Sequence, residues 1–293
     1  MDTHLLDVSG GTGPGGTGAG GTSPGATLRW YDGGPVDAPI VAMWHHGTPN
    51  VGEPPAPLLE ASAERGIRWL GFDRPDYGGS SAQGGRRVSG AADLAARVAD
   101  AAGVESYVAV GHSGGGPHAL ACAALLGERV TAVVSIGGLA PFDATGLDWF
   151  EGMYPGGAGE LRAAMEGPST LRTLLAASEF DPEMFTPADL KTLAGEWSWF
   201  ERIAAAGVAQ GLGGMTADDV AYVSPWGFAL DAIESPALFV HGSDDRIVPV
   251  AHGRWNAAAT PGAVLWERPG EGHLSTMSAG VAILDWIERV ALS

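Results

Sequence analysis

The chain is poor in cysteine, in basic residues and in long apolar runs. One cysteine among 293 residues, Cys122, excludes an intramolecular disulfide. That suits a reducing compartment, and a cytoplasmic location is the expectation. Lysine and arginine total 16 against 34 acidic residues, a net charge of −18. Such a surface repels phosphate backbones and anionic lipid, so neither nucleic acid nor a membrane is an expected partner. No run of about 18 apolar residues is long enough for a membrane span. The opening "MDTHLLDVSG" has neither the basic start nor the apolar stretch of a secretory signal. Residues 9–25, "SGGTGPGGTGAGGTSPG", cannot bury apolar surface and read as a flexible loop. They lack the Gly-Lys-Ser/Thr ending of a phosphate-binding loop.

Hydrophobic content of 45% suffices for a sizeable core. Beyond the glycine-rich stretch, strand-like and helix-like segments alternate. "ATLRWYDG", "PIVAMWHHG", "IRWLGFD", "ESYVAVG" and "VTAVVSIGG" read as strands, with "PLLEASAERG", "SGAADLAARVADAAG" and 114–126 as helices between them. This order argues for a mostly parallel sheet covered on both faces. From about 141 to 224 the alternation stops, and segments such as "LRAAMEG", "PADLKTLAGEWSWFERIAAAG" and "TADDVAYV" read as inserted helices. The pattern resumes at "PALFVHGSDD" and closes with the strand "AVLWERPG" and the helix "AGVAILDWIERVAL".

Ser113 sits in "VGHSGGG", between a strand pattern and a helix pattern. A serine hydroxyl is a weak nucleophile unless a base lies within hydrogen-bond reach and donors await the developing oxyanion. A sharp strand-to-helix turn presents the oxygen and leaves room for both. It also crowds the flanking Cβ positions, which is the physical reason for glycine in G-x-S-x-G. Two further polar groups stand beyond predicted strands: "HGSDDRIVP" at 241–249 and "GEGH" at 270–273. Open α/β sheets place their sites in such loops.

The segments "HHGTP", "FDRPDYGGS", "GHSGGG", "HGSDDRIVP" and "GEGH", in this order, resemble the α/β-hydrolase superfamily, specifically its lid-bearing serine hydrolases. The resemblance covers about residues 26–291. It implies an α/β-hydrolase fold: an eight-stranded, mostly parallel sheet flanked by helices, formed by 1–140 and 225–293, with a helical cap at 141–224. It makes Ser113 the nucleophile, Asp245 the acid and His273 the base, with Asp143 and Asp244 as alternative acids. Backbone N–H groups of Thr48 and Gly114 would form the oxyanion hole. No cofactor or metal is implied. One departure is Asp76, where the family more often has glycine.

His112, Trp149 and Trp199 are candidate pocket residues, though aromatic residues at helical spacing are as readily packing residues. The expected reaction is hydrolysis of a carboxylic ester or lactone of a small, partly apolar molecule. A peptidase, a thioesterase and a carbon–carbon hydrolase of the same fold stay open. So does a non-hydrolytic member, such as a ligand receptor or a biosynthetic cyclase or isomerase. The motifs do not address oligomeric state.

Overall fold

A computed structural model describes residues 1–9 and 25–292, so nearly all of the glycine-rich stretch expected as a loop lies outside the described residues. The strands are β1 (Asp2–Asp7), β2 (Thr27–Gly33), β3 (Ile40–His45), β4 (Ile67–Phe72), β5 (Tyr107–His112), β6 (Val130–Ile136), β7 (Ala237–Gly242) and β8 (Val264–Arg268). They form one sheet in the order β1-β2-β4-β3-β5-β6-β7-β8. The β1–β2 and β2–β4 pairs are antiparallel, and all others are parallel. The eight-stranded, mostly parallel α/β-hydrolase sheet expected from the sequence is therefore present.

β4, β5 and β7 are buried along their whole length, which is why they read as continuous apolar runs. Alternate residues serve opposite faces. In β5, Tyr107 and Ala109 enter one core while Val108 and Val110 enter the other. The first core packs under α2 (Gly90–Ala101), α3 (Gly115–Leu126) and α9 (Val250–Ala259); the second packs under α1 (Leu59–Glu64) and α10 (Gly280–Ala291). Gly115 through Ala123 of α3 are buried without interruption, so its apolar character runs all round rather than along one stripe. β1 carries no such signal. Five of its six side chains are exposed, and it is held at the sheet edge by pairing with β2.

Between β6 and β7 run α4 (Pro155–Glu166), α5 (Pro168–Ala177), α6 (Pro187–Leu193), α7 (Trp199–Val208) and α8 (Gly213–Tyr222), with no strand among them. Proline opens α4, α5 and α6, where its missing N–H costs nothing and its φ is already helical. The stretch "PADLKTLAGEWSWFERIAAAG" is not one helix. α6 stops at Leu193, and Gly195 leaves helical geometry (φ −115°, ψ −139°) before a short 3₁₀ turn leads into α7. Ala163, Ala164, Leu171 and Leu175 form a small separate cluster joining α4 and α5.

Candidate active site

The site is built on loops at the carboxyl ends of the parallel strands. β5 runs directly into Ser113, whose φ of 54° lies in the left-handed region. A non-glycine residue tolerates this only where its surroundings fix it. Ser113 N–H donates to Ile136 O at 2.8 Å, and Gly116 N–H donates to Ser113 O at 2.9 Å. The flanking glycines follow from close approach: a Cβ on Gly111 would overlap Gly115 O, and one on Gly115 would overlap His45 O.

Asp245 lies in the loop after β7 and His273 in the loop after β8. Their side chains meet, with His273 Nδ1 2.8 Å from Asp245 Oδ2. Asp245 Oδ1 accepts from Ile247 N–H and Val248 N–H, both at 2.9 Å, which fixes the carboxylate plane. His241 stands 3.5 Å from Asp245 Oδ2 on its other side. Of the three aspartates considered as the acid, Asp245 is the one brought to His273; Asp244 instead accepts from Ser243 Oγ at 2.7 Å. Burial alone would raise the Asp245 carboxyl. The charge of His273 and hydrogen bonds from His241 and His273 outweigh it and hold the group below the usual carboxylate range. Burial alone would likewise depress His273, but the Asp245 charge and hydrogen bond, followed by the Asp189 charge, raise it above an ordinary histidine.

Ser113 and His273 converge on the end of β6. Ser113 is tied to Ile136, and the next residue, Gly137 (φ 57°), faces the imidazole so closely that an added Cβ would lie 3.3 Å from His273 Nδ1. Among the described hydrogen bonds, none joins Ser113 Oγ to His273. Such contacts are often long without substrate. His112 is buried beside this pair, with Nε2 3.2 Å from His273 O and its ring 5.0 Å from the His273 ring. Burial first, then His273, pushes it down to about 3, so it is neutral at physiological pH.

Thr48 and Gly114 lie together. A Cβ added to Gly114 would come within 2.8 Å of Thr48 Oγ1. Among the described turn and loop hydrogen bonds, neither backbone N–H donates to a protein acceptor. The loop that carries Thr48 is held from below by Arg74, which donates to His46 O at 2.5 Å and to Gly47 O at 3.4 Å. Arg74 is paired at 2.6 Å with Asp218 of α8, and both side chains are almost wholly buried. Asp218 also accepts from Arg86, Tyr77 and Thr48 Oγ1 at 2.7, 2.8 and 2.7 Å. Tyr222, one turn further along α8, donates to Gly114 O at 3.0 Å. Asp76, the departure from the usual glycine, has a φ of 71°, and its carboxylate accepts from Gln83 N–H at 3.0 Å. Aspartate is among the few residues that tolerate this region.

The two tryptophans lie apart from each other. Trp149 is enclosed by Phe142, Phe150 and His252, and its indole N–H donates to Ala140 O at 2.9 Å. Trp199 packs on Trp44, Trp197 and Phe200 in the other core. Phe200, rather than either tryptophan, lies beside His112, with ring centroids 5.1 Å apart.

Asp189, Asp218, Arg74 and Tyr222 were not singled out from the sequence. The signal for Asp189 was the Thr186–Asp189 spacing of a capping box, which announces a helix start and nothing more. Asp218 is silent, because its partners stand 132 to 170 residues away.

Among the described residues, no group of three or more His, Cys, Asp or Glu is placed to hold a metal ion. No described helix is long and apolar enough to cross a membrane. The profile of the alpha/beta hydrolase fold family matches residues 43–279, and the chain belongs to that family. It is 28% identical over 273 residues to a non-heme haloperoxidase of Rhodococcus erythropolis, covering 89% of this chain and 93% of the relative. Its fold is similar to that of a thermophilic esterase from Thermogutta terrifontis (TM-score 0.70, 21% identity, 92% of this chain and 96% of that one). It is also similar to an enol-lactonase from Burkholderia xenovorans (TM-score 0.69, 19% identity, 92% and 98%).

Proposed function

We propose that the protein is a serine hydrolase that cleaves a carboxylic ester or lactone of a small, partly apolar molecule through an acyl-enzyme on Ser113. The observation that carries this reading is the buried His273–Asp245 pair, 2.8 Å apart, beside a serine held at positive φ on a strand-to-helix turn. His273 Nε2 takes the Ser113 Oγ proton as the oxygen attacks the carbonyl carbon. Asp245 keeps Nδ1 protonated and stabilises the imidazolium. The Thr48 and Gly114 amides hold the oxyanion. His273 then protonates the leaving alcohol, and water activated by the same imidazole releases the acid. The helices within 141–224 serve as the cap over this site, and Phe200 beside His112 supplies an apolar wall. An ester or lactone substrate is in keeping with the esterase and the enol-lactonase of similar fold. The lone buried Cys122 accords with a cytoplasmic site of action.

The test is Ser113→Ala, assayed with chain-length-graded esters, lactones, thioesters and peptide anilides. Loss of about 10³-fold or more in kcat by a folded variant is expected. Turnover of the best wild-type substrate by that variant at near wild-type rate contradicts the reading. Because His273 must be neutral to act as base, kcat/KM should rise with pH along a limb above the ordinary histidine value of 6.5.

A further inference from the structure

The carboxylate of Asp189 accepts six hydrogen bonds. Two come from Thr186, the residue capping α6: N–H at 3.0 Å and Oγ1 at 2.9 Å, both to Oδ2. The first of these is half of the capping box, and both stay within the start of α6. The other four leave the inserted helices and run to the loop that carries His273. Oδ2 accepts from His273 N–H at 3.2 Å, while Oδ1 accepts from Leu274 N–H at 2.8 Å, Ser275 N–H at 2.7 Å and Ser275 Oγ at 2.9 Å. Three consecutive amides thus converge on one side chain. Capping a short helix requires none of them. The approach is close enough that a Cβ on Gly272 would overlap Asp189 Oδ2, so "GEGH" needs glycine just before the histidine. Asp189 is 1% exposed, and Ser275 Oγ closes the arrangement by accepting from Gly272 N–H at 2.7 Å.

We infer that Asp189 is a positioning residue for the acid–base half of the site: α6, through one buried carboxylate, fixes where the His273 backbone lies and hence where its imidazole meets Ser113. This rests on the reading of His273 as the base. The consequence is that the base is in place only when the inserted helices are seated on the sheet. Asp245 orients the ring from the side-chain end; Asp189 holds the same residue from the main-chain end. A displacement of about 1 Å at such a point costs about 10²-fold in rate.

The charge of Asp189 also reaches the ring. Burial opposes its ionisation, but the amides of Ser275 and Thr186 and the hydroxyls of Ser275 and Thr186 hold its carboxyl below the usual range. The groups facing His273 are Asp245 from the β7 loop, with His241 behind it, neutral His112 from β5, and Asp189 from α6. Loss of the Asp189 charge therefore lowers the pH at which His273 becomes neutral.

The experiment compares wild type, Asp189→Asn, Ser275→Ala and Ser113→Ala as full chains. Active sites are titrated with a fluorophosphonate, and kcat and KM are measured on one neutral ester between pH 5 and 9, per titrated site for wild type, Asp189→Asn and Ser275→Ala and per mole of chain for Ser113→Ala. Asp189→Asn should lose about 10²-fold in kcat with KM within about twofold, and its kcat/KM limb should move to lower pH. Ser275→Ala should show a smaller kcat loss and no shift of the limb. A normal kcat and an unmoved limb per titrated site, with only a lower melting temperature, would make Asp189 a mere helix cap and overturn the inference. If Asp189→Asn does not fold, Ser275→Ala decides: unchanged kcat overturns, and a loss at constant KM supports. The Ser113→Ala arm separates the two levels. If that variant still turns over the ester, the serine reading fails and the Asp189 inference with it. If it is inactive while Asp189→Asn and Ser275→Ala match wild type, only the Asp189 inference falls.

Discussion

Asp189 and Asp218 both carry the inserted helices down to the site-bearing edge of the sheet, yet they are held in opposite ways. Every donor to Asp189 is neutral: four backbone amides and two hydroxyls. Asp218 sits between two guanidinium groups, Arg74 and Arg86, with Tyr77 and Thr48 completing its shell. The neutral cage is directional, since each amide fixes a piece of backbone. The ionic one is strong but balanced against the cost of burying three charges. Asp189 thus bears on where one loop lies, and Asp218 on whether the insertion and the "HHGT" loop stay together at all. On this contrast, loss of Asp189 should be felt first in rate and loss of Asp218 first in stability.

The largest expected effect sets the scale for the Asp189 arm. Asp245→Asn should lower kcat by about 10⁴-fold, because the imidazole loses its tautomer and its counter-charge. Asp143→Asn and Asp244→Asn should stay near wild type. The reverse ranking in kcat/KM among folded variants would move the acid to another loop. Asp218→Asn leaves Arg74 and Arg86 facing each other without their carboxylate, and should cost about 3–5 kcal/mol of unfolding free energy. Asp189→Asn should cost less, about 1–3 kcal/mol. Urea midpoints at constant m-value measure both, and equal losses would erase the distinction. Burial would raise Asp218, but Arg74 and Arg86 keep it well below the ordinary aspartate value of 3.8. Its contribution is therefore complete above pH 3.8 and lost only as pH falls through the depressed folded value. The Asp218→Asn deficit should not vary between pH 5 and 8.

Trp149→Ala and Trp199→Ala probe the insertion where it packs mainly through aromatic rings. Each removes an enclosed indole and should cost about 3–5 kcal/mol, with ester chain-length preference unchanged. A changed preference at wild-type melting temperature would instead place that indole in the substrate pocket. The smallest effect concerns the neighbour of Asp218. Burial first, then the Glu160 charge on α4, raises Asp219 well above the ordinary carboxyl value. A raised acid stabilises the fold most below its unfolded pKa, and that stability fades as pH rises through the folded value. Asp219→Asn should therefore stabilise the fold at pH 8 relative to wild type and do so less as pH falls toward 4. A gain that does not change with pH would remove the carboxyl pair as its cause.

The parts of this arrangement differ in how far the sequence discloses them. The β5–Ser113–α3 turn is legible because its glycine pattern is short and regular: a Cβ on Gly111 would meet Gly115 O within the turn, and one on Gly115 would meet His45 O at the end of β3. β4, β5 and β7 are legible because burial on both faces leaves largely apolar runs. β1 is not, since main-chain pairing leaves no mark on side chains that face solvent. The break before α7 hides inside an apolar helix-like run, with Gly195 as its one sign. Asp189 and Asp218 are invisible for a different reason. Each looks like an ordinary helix residue until folding brings up partners at least 84 residues distant, as with His273. The histidine and aspartate of the site are legible by motif, whereas what holds them in place is not.

Serine chemistry in this fold is tested most directly by trapping the covalent intermediate. Wild-type protein mixed with its best ester, quenched in acid within milliseconds and measured as intact mass, should carry one acyl group, which peptide mapping places on Ser113. Ser113→Ala should carry none and should not turn over the ester. Steady turnover with no acyl group on Ser113, or an acyl group on another residue, would contradict the assignment.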